Sequence, residues 1–128
     1  MKVNIEVSIG ELVDKLSILE IKLEKIHDKE KKLNIQKEYK LLKIEYKKLL
    51  EKYADVDNYF LNIKEVNLDI WSMEENIREL ISQKKFDTEY IDMAREIQRK
   101  NDQRFEIKNE INKVFQSSLL EQKSYPGY

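Results

Sequence analysis

The arginines of this chain are few and clustered. Of its 24 basic residues only Arg78, Arg95, Arg99 and Arg104 are arginine, and all four fall in the second half of the 128-residue sequence. An arginine fork binds a carboxylate or phosphate through two parallel N–H···O bonds, which a lysine ammonium cannot match. Arg95 and Arg99 stand one helical turn apart, Arg104 and Lys108 another, with Asn101 and Asp102 between them. One reading is an anion pocket in which Arg95, Arg99, Arg104 and Lys108 donate while Asn101 and Asp102 set orientation. Ser124 and Tyr125 on the C-terminal tail could close over the ligand, since hydroxyls suit sugar and phosphate contacts. Trp71 offers a stacking surface for a base or sugar ring, or else fills a core or interface. The competing reading is an intramolecular network, for example Arg95 with Asp92, or Arg104 with Asp102 or Glu75. Structural ion pairs mimic binding sites well.

Catalytic patterns fall short. Glu24-Lys25-Ile26-His27 fits the Glu-x-x-His motif of di-iron bundles, but a second copy is required and His27 is the only histidine. Glu11-x-x-Asp14 and Glu89-x-x-Asp92 resemble the carboxylate pairs of a magnesium-dependent, all-α nucleotide pyrophosphatase. Their Glu-x-x-Glu partner is missing on the third helix, where Glu75 and Glu79 are four apart, so these acids read as solvated surface groups. A chorismate-mutase-like site needs arginine on a first long helix, which here carries only lysine. There is no Gly-rich phosphate loop, no serine–histidine arrangement and no zinc spacing, and the sequence calls for no metal or cofactor.

Composition sets the frame for these residues. With 38% charged and 41% hydrophobic residues, two glycines, one proline and no cysteine, the chain reads as long helices in one domain spanning 1–128. No run of apolar residues is long enough to span a membrane, and residues 1–6 are too polar for a signal peptide, so a cytoplasmic location is expected. A net charge of −1 argues against a general nucleic-acid binder.

Four helices are expected, near 9–28, 31–53, 59–83 and 88–116, with an alternating N-terminal strand in residues 1–8 and an extended tail over 117–128. Ser8-Ile9-Gly10-Glu11 is a capping box, and Asp87 is a good N-cap for the last helix. Leu12, Leu16, Leu19, Leu23 and Ile26 form one stripe. Ile35, Tyr39, Leu42, Tyr46, Leu49 and Tyr53 form a second, and Ile63, Val66, Ile70, Met73, Ile77 and Leu80 a third, all at heptad spacing. The fold class is therefore all-α: a four-helix bundle of antiparallel hairpins. Helix 4 breaks the pattern, because Asn101, Lys108 and Asn112 share a face with Tyr90, Ala94, Ile97, Phe105, Ile111 and Phe115. Each buried polar group left unsatisfied costs about 1–3 kcal/mol, so acids from another helix, water or a ligand must answer them.

The run from Val7 through Gly10-Glu11, Asp14 and Ser17 to Lys22 resembles a small family of unknown activity found in bacteria and their phages. The likeness continues through Trp71, Phe86-Asp87, Ala94-Arg95, Asn101-Asp102, Arg104, Ile107-Lys108, Ile111-Asn112 and Lys123-Ser124-Tyr125. It implies a stand-alone helical protein of bacterial or phage origin and transfers no catalytic residue. Three functions follow from the residues. The first is a non-catalytic, homo-oligomeric protein holding a small anionic ligand such as a nucleotide or other phosphorylated metabolite; a phage version would sequester a nucleotide signal. The second is a coiled-coil scaffold for protein partners, and the third an all-α nucleotide-processing enzyme.

Overall fold

The computed structural model describes residues 1–124, so Tyr125, expected to close over a ligand, lies outside the described residues. Four helices follow one another: α1 (Ile9–Lys25), α2 (Lys29–Lys52), α3 (Val56–Ser82) and α4 (Thr88–Val114). Short connections pair α1 with α2 and α3 with α4. The central element is α1, which packs on all three others, whereas α2 meets α3 only slightly. No helix among the described residues is long and apolar enough to cross a membrane.

Local chemistry explains the boundaries. Ser8 caps α1 by accepting from Glu11 N–H at 3.1 Å, and Asp28 caps α2 through Lys31 N–H at 2.9 Å. The α3 helix starts at Val56, three residues earlier than the loop-forming residues 54–58 suggest, because Val56 is drawn wholly into the core. Both α3 and α4 end in a Schellman turn. Lys84 and Gln116 take φ of 55°, and Lys85 N–H and Ser117 N–H donate back to Leu80 O (2.9 Å) and Asn112 O (2.8 Å).

One core cluster joins the helices: Val13 and Leu16, Tyr46, Val56, Phe60 and Ile63, then Ile111 and Phe115. Burying each of these large apolar side chains stabilises the fold by about 1.5–3 kcal/mol. The α3 stripe faces inward as expected, with Ile63 and Val66 buried. The α1 stripe is wider than expected, since Val13 and Ile21 are as buried as Leu16.

The N-terminal strand is not seen. No strand occurs among the described residues, and Val3 and Ile5 are 74% and 76% exposed. Alternation alone does not make a strand, because its backbone needs a partner to hydrogen-bond and none is present among the described residues.

Candidate functional site

The site begins where α4 caps α1. The first N–H groups of a helix have no partner within it. In α1 the Ile9 N–H donates to Ser117 Oγ at 3.1 Å, Gly10 N–H to Asn112 Oδ1 at 2.7 Å and Glu11 N–H to Ser8 Oγ. The Schellman turn at the end of α4 is what brings the Ser117 hydroxyl back to Ile9. Close approach demands glycine at position 10, since a Cβ there would stand 2.5 Å from Lys108 O and 3.0 Å from Asn112 Oδ1.

One turn further along α1, Asp14 is fully buried. Arg104 grips it from α4 with both arms, Nε to Oδ1 at 2.8 Å and Nη2 to Oδ2 at 2.5 Å. From α3, Asn67 donates Nδ2 to Asp14 Oδ1 (2.9 Å) and to Ser17 Oγ (2.8 Å), and the Ser17 hydroxyl donates to Asp14 O. Lys108, 7% exposed, lies 2.7 Å from Glu11 Oε2, 2.8 Å from Glu121 Oε2 and 3.9 Å from Asp14 Oδ2. Two cations thus meet three carboxylates. The hydrogen bond to Asp14 pushes the Arg104 guanidinium above its ordinary pKa, against the opposing effect of burial. For Lys108, burial pulls the ammonium down, but bonds to Glu11 and Glu121 together with the charge of Asp14 hold it above its usual value. Both residues therefore stay cationic at neutral pH.

Glu11 and Asp14 are thus not the solvated surface pair that their spacing suggests. They are the acids from another helix that answer the polar face of α4. The pairs considered for Arg104 within the second half of the chain, Asp102 and Glu75, give way to Asp14, ninety residues away in sequence.

Two clefts flank Arg104. The larger, of about 510 Å³, lies between α1 and α3; Ile18, Ile21, Ile70 and Trp71 form its apolar side, with Asn67, Glu74, Glu75, Arg78 and Arg104 as polar lining. Trp71 Nε1 donates to Glu75 Oε1 at 2.5 Å, which orients the indole. Arg78 makes no ion pair among the described residues. The smaller cleft, of about 240 Å³, is polar and includes Asn101, Arg104, Lys108 and the tail residues Glu121 and Lys123.

The structure brings Trp71 and Arg104 together at one cleft, and Asn101, Arg104 and Lys108 at the other. Arg95 and Arg99 join neither: at 100° per residue they lie about 180° and 140° around α4 from Arg104. Both are exposed, and Arg99 pairs with Glu96 at 3.2 Å within its own helix. A single pocket holding all three arginines and Lys108 does not form. Asp102 is half-buried, and Ser124 is exposed on the tail.

Over residues 1–127 the sequence matches the profile of a family of unknown function (DUF6165). The chain belongs to this family. No curated protein and no solved structure matches it. Membership in the family covers the capped start of α1, the Asp14–Arg104 pair and both clefts, and it brings no assigned activity.

Sequence reasoning missed Asp14, Ser17 and Arg78 as site residues. A signal was present for the first two. Gly10, Asp14, Ser17 and Ile21 recur at spacings of four, three and four, a second helical stripe beside the leucines. A small-and-polar stripe next to an apolar one marks a helix buried on two sides. Nothing in its neighbourhood distinguishes Arg78, which lines the larger cleft two turns of α3 beyond Trp71.

Proposed function

We infer that this is a cytoplasmic, self-associating ligand-binding protein whose α1–α3 cleft holds a small anionic molecule with a flat ring, such as a nucleotide. The observation carrying this reading is the posture of Arg104. Its bond to Asp14 uses two of five N–H donors, and the outer edge of the guanidinium borders the cleft while the buried carboxylate fixes its position. Preorganised donors of this kind lose little entropy on binding an oxyanion. Arg78 adds a second cation, and Trp71 with Ile70 and Ile18 supplies an apolar wall for the ring. Glu74 and Glu75 favour a ligand that also offers N–H or O–H donors. At about 510 Å³ the cleft falls within the size range of small-molecule sites.

Calorimetry of the wild type against nucleoside phosphates and sugar phosphates tests this, with Trp71→Ala and Arg78→Ala as variants. Both side chains are off the core cluster, so binding should weaken at least tenfold while the melting temperature holds. If no such ligand binds at millimolar concentration, the reading is wrong.

Self-association rests on a different face. Of all α2 residues only Tyr46 is buried, while Leu33, Leu41 and Ile44 are 66%, 45% and 54% exposed. That face also favours the second reading, a scaffold that presents α2 to a protein partner. Sedimentation at micromolar concentration should show a dimer or larger; a monomer that still binds ligand removes self-association alone.

A further inference from the structure

The tail beyond α4 crosses back over the body, and one carboxylate does most of the holding. Glu121 reaches Lys108 Nζ at 2.8 Å, inside the small polar cleft. Around it, Ser118, Leu119, Leu120, Gln122 and Ser124 are all exposed. Lys123 adds a cation–π contact to the ring of Phe105 at 5.1 Å, and the Ser117 hydroxyl donates to Leu119 O at 2.8 Å. The lysine of this pair is 7% exposed and the Glu121 Oε2 that meets it is buried, so the carboxylate fills a place suited to an oxyanion. Glu121 therefore occupies the place that a competing anion would take.

We propose that the cleft beneath the tail is a second anion site, for a phosphate group, and that Glu121 is its built-in competitor. Lys108, Lys123 and the flank of Arg104 provide three cations, and the Asn101 amide can add a neutral donor. With Glu121 in place, Glu11, Asp14 and Glu121 balance those charges. With the Glu121 side chain withdrawn and Lys123 in place, the cluster as a whole carries one positive charge over, and an oxyanion takes the position of the carboxylate beside Lys108. The cleft, of about 240 Å³, is lined almost wholly by polar groups and lacks the apolar wall for a ring that the cleft at Trp71 has, which sets the two sites apart. Phosphate binding and the Glu121–Lys108 contact exclude each other, while Lys123 stays beside the cleft on Phe105 and contributes its charge. An intramolecular carboxylate acts at high effective concentration, so the wild type binds weakly and the site responds only to abundant phosphate.

The test uses the full chain and inorganic phosphate, with sodium chloride at matched ionic strength as control. Glu121→Ala should bind phosphate at least tenfold more tightly than the wild type, and Lys123→Ala, on the exposed tail, should weaken that gain. Chloride at the same ionic strength should leave phosphate binding by Glu121→Ala unchanged. Equal phosphate affinity in wild type and Glu121→Ala, or no binding by either, overturns the proposal. So does phosphate binding that chloride at matched ionic strength abolishes. Trp71→Ala should leave all three results unchanged, so failure here and failure at the larger cleft are read separately.

Discussion

Arg104 and Asp14, ninety residues apart in sequence, form a two-armed ion pair with N···O distances of 2.8 and 2.5 Å, and the acid is fully buried. The pair ties the first helix to the last, and Asn67 ties the third to the first. Buried charges are costly unless every one is answered. Here the cost is met by concentrating the charges in one network and closing it with Ser17 and Asn67. The same network holds Arg104 at the edge of the α1–α3 cleft, so a residue that stabilises the fold also lines the proposed binding site.

Removing the acid alone should therefore be severe. Asp14→Ala strands Arg104 and deprives Lys108 of a neighbouring charge, with an expected loss of about 3–5 kcal/mol. The double variant Asp14→Ala/Arg104→Leu should recover part of that, because no unanswered charge remains. Urea denaturation of the wild type, both single variants and the double variant measures the coupling. Additive losses would show that the two side chains act independently.

Gly10→Ala tests the helix crossing. Alanine normally favours a helix over glycine by about 1 kcal/mol. At this position its Cβ would stand 2.5 Å from Lys108 O, a backbone atom that cannot swing aside. Overpacking should win, with a net loss of about 1–3 kcal/mol in chemical denaturation. A stabilised variant would mean that α1 and α4 are not in this close contact.

Much of this fold is written locally. Ser8 and Asp87 start helices where capping chemistry says they should, and the stripes of α2 and α3 face inward. The anomaly of α4 is also legible, since Lys108 and Asn112 are buried; Glu11 and the Gly10 N–H answer Lys108 Nζ and Asn112 Oδ1 from α1, while Asn112 Nδ2 has no partner among the described residues. What the sequence hides is the identity of the answering groups. Asp14 looks like a surface acid when each helix is given one apolar stripe, and only the central position of α1 buries it. The N-terminal alternation misleads for the opposite reason, because a strand depends on a partner that no local pattern supplies.

Alkaline pH should destabilise the fold more than composition suggests. Lys108, Lys64 and Arg104 ionise above their ordinary values, and the Tyr39 and Tyr46 hydroxyls are also raised, mainly by burial. A raised pKa means that the folded state holds its proton more tightly than the unfolded chain. The stability from these groups is fully present below about pH 10 and is lost as pH climbs through the folded-state values. Urea midpoints between pH 8 and 11.5 should stay level and then fall. Tyr46→Phe, which removes the hydroxyl that donates to Asp57, and Lys64→Met, which removes the cation held 2.7 Å from both Glu20 and Glu24, should each shallow that fall. An unchanged slope in both would assign the alkaline limb to other groups.

The three arginines of α4 should behave as two kinds of residue. Arg99 pairs only with Glu96 on the surface of its own helix, and its side chain is 64% exposed. Such i,i+3 pairs contribute about 0.2–0.5 kcal/mol and weaken in salt, so Arg99→Ala should barely move the urea midpoint. Arg95 is exposed as well, and Arg95→Ala should give no measurable change. Arg104→Ala leaves Asp14 buried without its partner and should cost about 3–5 kcal/mol. Raising the salt concentration should erase the Arg99 effect but not the Arg104 effect, because screening acts poorly on a buried pair. The same contrast bears on ligand binding. A ligand held at the α1–α3 cleft cannot reach Arg95 or Arg99, so their alanine variants should bind it as the wild type does. If either variant abolishes binding while Trp71→Ala spares it, the ligand sits on the outer face of α4 and not beside Arg104.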